Sequence, residues 1–218
     1  MTLWQVLRGD PEARVEVCVL AALLVAGVLL AGCDGGAGSP GNGDRANIPR
    51  SALRSLVLQP TDLPEVWVRF DEGRQTRRDS PSGERADPAR FGRLGGWKAR
   101  YRRPGSRSTQ GPLVIESRAD LFGDAGGAKR DFDLLERDLG VSLGLELERG
   151  EASGLGDDAA AGTVVQGDER SGVRYVVVAW RYGNVVGTLV ANGFAPSFTA
   201  TQGLSLARTQ QQKIAAAG

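Results

Sequence analysis

The side chains that most often carry catalysis are scarce in this 218-residue chain, which has no histidine and two cysteines. Without imidazole there is no Ser-His or Cys-His nucleophile pair and no His-ligated zinc. Two cysteines supply neither a thiolate cluster nor a disulfide framework. No S-x-x-K nucleophile pattern occurs. Gly154-Leu-Gly156-Asp-Asp-Ala159 has the letters of the G-x-G-x-x-A dinucleotide fingerprint. That fingerprint works between a strand and a long helix, with an acidic residue about 20 positions on. Here the run passes through Ala161 and Gly162 into a β-branched segment, and position 174 is Arg174. The glycines therefore read as a tight loop. Asp157 and Asp158 are two oxygen donors for a cation, but calcium needs six to eight oxygens, so capped turns or solvated carboxylates are the simpler reading. Asp131, Asp133, Glu136 and Asp138 do not fit an EF-hand loop and read as a solvated helix face. No catalytic site and no metal site is assigned.

Two residue sets remain as binding candidates. Trp97, Tyr101, Tyr175, Trp180 and Tyr182 all fall on expected strands. They line a cleft between sheet and helix or fill the core. The second set is cationic. Residues 69 to 107 hold 12 Lys and Arg against five Asp and Glu, and residues 109 to 170 hold six against 14. Arg74, Arg77, Arg78, Arg100, Arg102 and Arg103 are candidate contacts to an anionic lipid or polymer surface. The alternative is that the two blocks neutralise each other. Net charge is +1, which gives no reason to expect nucleic acid.

These residues need a scaffold, and hydrophobic periodicity supplies one. Asn47 as cap, Pro49 in the first turn and Leu53, Leu56 and Val57 predict a short helix. Glu65 to Phe70 alternates, with Val66, Val68 and Phe70 on one side and Trp67 on the other, so it reads as a strand. Residues 71–96 read as a long Arg-rich loop. Trp97 to Arg103 and Leu113 to Leu121 predict a hairpin. Asp124 begins a helix with Ala128, Phe132, Leu135 and Leu139 on one face, and Gly140 ends it. A short strand is expected at Leu143 to Leu147. Thr163 to Gln166, Val173 to Tyr182 and Val185 to Ala191 predict a meander turned by Gly183-Asn184. Thr199 to Ala217 predicts a closing helix, with Leu204, Ala207 and Ile214 inward and its glutamines outward. Runs of strands separated by helices give the α+β class. The expected product is a single curved antiparallel β-sheet with about three helices packed on a face.

The N-terminal segment carries an address. Val17 to Leu30 is uncharged for 14 residues, which is short for a membrane span and suits the apolar core of a signal peptide. Leu30-Ala31-Gly32-Cys33 resembles the lipobox of bacterial lipoproteins. The resemblance implies recognition of Leu30, Ala31 and Gly32 by a signal peptidase and a diacylglyceryl group, with N-acylation, on Cys33. Asp34 to Asn47 is a Gly-rich tether of flexible composition. The expected organisation is residues 1–32 as signal peptide, 33–47 as acylated cysteine and tether, and 48–218 as the globular domain.

Within that domain, Leu58 to Pro64 (LQPTDLP), Gly154 to Ala160 (GLGDDAA) and Val178 to Val190 (VAWRYGNVVGTLV), with the Gln-rich last helix, resemble extracytoplasmic sensor modules of the PknH-like type. More distantly they resemble the PsbP/Mog1 fold. The resemblance implies a non-catalytic ligand-binding or sensor-like module on the outer side of a cell membrane. The alternative is an accessory lipoprotein that binds another envelope protein. The expected partners are the membrane, through the lipid anchor, and an unidentified small ligand or envelope protein. No cofactor beyond the acyl group is expected.

Overall fold

Val173 to Tyr182 is apolar at nearly every position, as expected of a strand covered on both faces. In the structure, a computed structural model that describes residues 47–75, 87, 89–139 and 148–218, this segment is a strand next to the centre of the sheet. Along the chain, a 3₁₀ helix (Arg50–Leu56) and a 3₁₀ turn (Pro60–Asp62) lead to β1 (Val68–Arg74). A further 3₁₀ turn (Arg90–Gly92) precedes β2 (Arg93–Arg102), β3 (Val114–Phe122) and α1 (Ala125–Asp138). Then come β4 (Glu148–Gly150), β5 (Asp158–Gln166), β6 (Val173–Tyr182), β7 (Val185–Phe194) and α2 (Ala200–Ala215). The seven strands form one sheet in the order β1-β2-β3-β7-β6-β5-β4, with all neighbours antiparallel. The protein is α+β, as its sequence indicates.

The helices divide between the two faces of the sheet, where the sequence suggested one. Alternation along β6 shows why. Val176, Val178 and Trp180 point into the larger core, with Leu56 of the 3₁₀ helix, Leu189 of β7, Phe198 of the following connection, and Ala207 and Ile214 of α2. Val177 and Ala179 point the other way, against Ala128, Phe132 and Leu139 of α1 and its end. Each fully buried aliphatic or aromatic side chain contributes about 1.5–3 kcal/mol, so a strand used on both faces anchors the sheet strongly.

Both long helices begin on capping side chains. Asp124 accepts from the Gly127 N–H at 2.6 Å. Thr199 and Gln202 form a capping box, in which the Gln202 side chain accepts from the Thr199 N–H at 2.9 Å. Each such cap contributes about 0.5–2 kcal/mol.

Several local expectations shift. The first helix is 3₁₀, its cap position is Pro49, and Asn47 makes no cap. The first strand starts at Val68 and runs on to Arg74, and β2 starts at Arg93, so both ends of the expected 71–96 loop are strand. Residues 76–86 and 88, with Arg77 and Arg78, lie outside the described residues, as do Gly140 and the expected strand at Leu143 to Leu147. β5 begins at Asp158, five residues early, because the Ala159–Ala161 run pairs with Trp180–Val178. Among the glutamines of α2, Gln210 is fully buried: its amide donates to the Arg118 carbonyl at 2.7 Å and its Oε1 accepts from Ser117 at 2.7 Å. Asp131 of α1 is also buried, whereas the side chain of Asp133, two residues on, is half-exposed.

Candidate functional site

The aromatic candidates do not form a cleft, because the sheet turns most of them inward. Tyr101 and Trp180 have no exposed surface and Tyr175 is buried. Tyr101 donates to the Leu58 carbonyl at 2.8 Å, and burial pushes its phenol up to about 12. Burial likewise raises Tyr175, which faces away from Tyr101 on the α1 side of the sheet. Trp180 lies over Gly187, its register partner on β7; a Cβ there would stand 2.5 Å from the indole. Its indole N–H has no hydrogen-bond partner among the described residues. Trp97 and Tyr182 are half-buried and pack against the larger core. The expectation of a cleft lined by these five residues is corrected for Tyr101, Tyr175 and Trp180: they are core residues.

The cationic candidates separate by strand position. Arg100 is held between Glu116 at 2.8 Å and Asp71 at 2.9 Å, and Lys98 reaches the same Asp71 carboxylate at 3.2 Å. Arg118 pairs with Glu116, and Arg93 with Asp120. These pairs bridge β1, β2 and β3, so the basic block and part of the acidic block neutralise each other inside the fold. Arg100 is therefore committed to these carboxylates, and its role as an anionic-surface contact is corrected. Arg103 is also engaged: it donates to the carbonyls of Pro112, at 2.7 Å, and Gln110, and lies over the Trp67 ring at 5.2 Å. Arg102 and Arg74 are exposed. Among the described residues no carboxylate lies within ion-pair distance of Arg102 or of Arg107 on the β2–β3 loop.

The glycine-aspartate loop is structural. Asp157 and Asp158 both bind Arg181, at 3.0 and 2.6 Å, and Asp157 accepts from the Gly183 N–H at 2.9 Å. Gly156 takes φ +50°, and a Cβ on it would stand 2.0 Å from the Arg181 carbonyl oxygen, so the loop requires glycine there. Among the described residues no cluster of three or more acidic or thiol side chains is arranged to hold a metal.

Two surface features sit at the end of the sheet where β2 finishes. An open groove of about 280 Å³ is lined by Leu63, Trp67, Arg103, Gln202, Ser205 and Leu206, among others. Beside it the first strand and the turn before it show apolar side chains to solvent: Val66 of the turn and Val68 and Phe70 of β1 are 48%, 56% and 44% exposed. Sequence alternation identified this stripe but not that it faces water. Arg102 stands opposite Val68 in the register and its guanidinium lies 5.6 Å from the Phe70 ring centre.

The segment Gly140-Val-Ser142-Leu-Gly144 spells G-x-S-x-G. It lies outside the described residues. A nucleophile elbow needs a histidine base in addition to that pattern, and this chain has none. The residues of the expected lipobox, Leu30, Ala31, Gly32 and Cys33, also lie outside the described residues. Among the described residues no helix is long and apolar enough to cross a membrane.

No known family pattern matches the chain, and no curated protein matches it in sequence. Among solved structures it is similar to the extracellular domain of PknH from Mycobacterium tuberculosis. The identity is 13%, the TM-score is 0.57, and the match covers 78% of this chain and 97% of that one. At this identity the likeness is one of fold: the two chains share an α+β architecture over nearly the whole of the PknH domain.

Proposed function

We propose that this chain is a non-catalytic, extracytoplasmic lipoprotein, anchored through acylated Cys33, whose domain recognises its partner with its outer surface. The observation that carries the reading is the sequence Leu30-Ala31-Gly32-Cys33 at the end of a 14-residue uncharged run. A Gly-rich tether follows directly and leads into a domain with the fold of an extracellular domain. Two or more acyl chains anchor stably where one is marginal, so diacylglyceryl with N-acyl at Cys33 is sufficient attachment. Surface recognition is favoured over enclosure of a small ligand because Tyr101 and Trp180 fill the core while Val66, Val68 and Phe70 face outward. Metabolic labelling with palmitate tests the anchor: label is expected on the wild type and absent from Cys33→Ser, and equal labelling of both overturns the reading.

A second reading, a small-ligand module, draws on the groove beside Trp67 and Arg103. Native mass spectrometry of the domain purified gently from its host separates the two. Surface recognition predicts the bare mass, whereas a defined excess lost on denaturation assigns the protein to ligand binding.

A further inference from the structure

The apolar stripe of the first strand is the part of the molecule whose exposure the fold does not explain. Val68 and Phe70 are about half exposed on an edge strand, where a polar residue would serve the fold as well. The cations around them are arranged differently from those of the rest of the sheet. Arg100 and Arg118 on the same face are neutralised by Glu116 and Asp71. Arg102 instead lies against Phe70, and the following segment, Arg103 to Leu113, contains Arg107 and no acidic residue. Apolar side chains flanked by an uncompensated arginine match the two layers of an anionic bilayer surface, the acyl boundary and the headgroups.

We propose that Val68 and Phe70, with Val66 from the preceding turn and with Arg102, form a face that docks the domain onto an anionic lipid bilayer. This rests on the anchored reading for its geometry. Ile48 is tied to Asn184 in the β6–β7 turn, at the opposite end of the sheet from Val68. The ten residues of β2 place these ends about 30 Å apart. The 14 residues from Asp34 to Asn47 have a contour of at most about 48 Å, which exceeds that separation. The tether therefore permits docking but does not enforce it, and the face has to supply the affinity.

The test uses residues 45–218 without the acyl group, since both hydrophobic clusters lie within that stretch. Binding is measured by co-sedimentation with vesicles of phosphatidylcholine, with and without phosphatidylglycerol. Binding is expected only with phosphatidylglycerol and should weaken with salt. The double variant Val68→Ser/Phe70→Ser is expected to lose about ten- to a hundredfold in affinity, the worth of burying what these two side chains now expose. Arg102→Gln is expected to lose about fivefold at low salt. A melting curve like the wild type's confirms that the double variant is folded. The proposal is overturned by failure to bind anionic vesicles or by equal binding of the double variant. It is also overturned if the same substitutions abolish a concentration-dependent dimer, which assigns the face to a second copy, or abolish capture of an envelope protein without affecting vesicles. Because the assay omits the anchor, these outcomes leave acylation of Cys33 untouched, and an unlabelled Cys33 leaves the vesicle result standing.

Discussion

Asn184 turns the β6–β7 hairpin and also fastens the start of the domain. Its amide oxygen accepts from the Ile48 N–H at 3.0 Å, and its amide nitrogen donates to the carbonyls of Ile48 at 3.2 Å and Phe122 at 3.0 Å. All of this is buried, so Asn184→Ala leaves several backbone groups unpaired and is predicted to cost about 2–4 kcal/mol in urea unfolding. A loss under about 1 kcal/mol contradicts this role. Tyr101 makes a pH prediction. Its phenol is held up to about 12 in the fold against 10.0 unfolded. The folded state therefore keeps a proton that the unfolded chain has lost, and this contribution is complete below pH 10 and is lost as pH rises through about 12. Stability is expected to fall by about 2–3 kcal/mol across that window from this group alone. Tyr101→Phe should flatten the alkaline slope in denaturation measured against pH, and an unchanged slope contradicts the assignment.

The elements were legible in the sequence to the degree that local chemistry determined them. β6 matches its apolar run residue for residue, because a strand covered on both faces needs no partner to declare itself. The α1 stripe and the caps at Asp124 and Thr199 are likewise local. The first strand was harder. Alternation set Val66, Val68 and Phe70 against Trp67, but which side is buried depends on tertiary packing: Trp67 packs against the larger core, and a bulge between Arg69 and Asp71 shifts the later register. Gln210 was unreadable for the same reason, since its partners Ser117 and Arg118 are over 90 residues away. For the candidate site, the resemblance of Leu30-Ala31-Gly32-Cys33 to a lipobox rests on letters alone, whereas the proposed docking face required the register. At this scale Gly187→Ala is predicted to destabilise by about 1–3 kcal/mol, because the new Cβ would meet the fully buried Trp180 indole 2.5 Å away. Thermal melts followed by tryptophan fluorescence check it, and a neutral result means that the indole has room to move.

On the scale of the whole molecule, the near-zero net charge conceals an uneven distribution. The basic and acidic blocks meet across β1, β2 and β3, and their pairs absorb Arg93, Arg100 and Arg118. Arg102, at the end of β2, stays exposed beside Val68 and Phe70, while Tyr101, Tyr175 and Trp180 are buried. Such a domain has its interior committed to stability and one end of its surface left for recognition, which suits a module kept near a bilayer by a tether. The most direct measurement is the intact mass of the protein extracted from host membranes, with fragmentation of its N-terminal peptide. Our account predicts a chain that begins at Cys33 and carries a diacylglyceryl group; a chain that retains the residues before Cys33, or an unmodified Cys33, contradicts it.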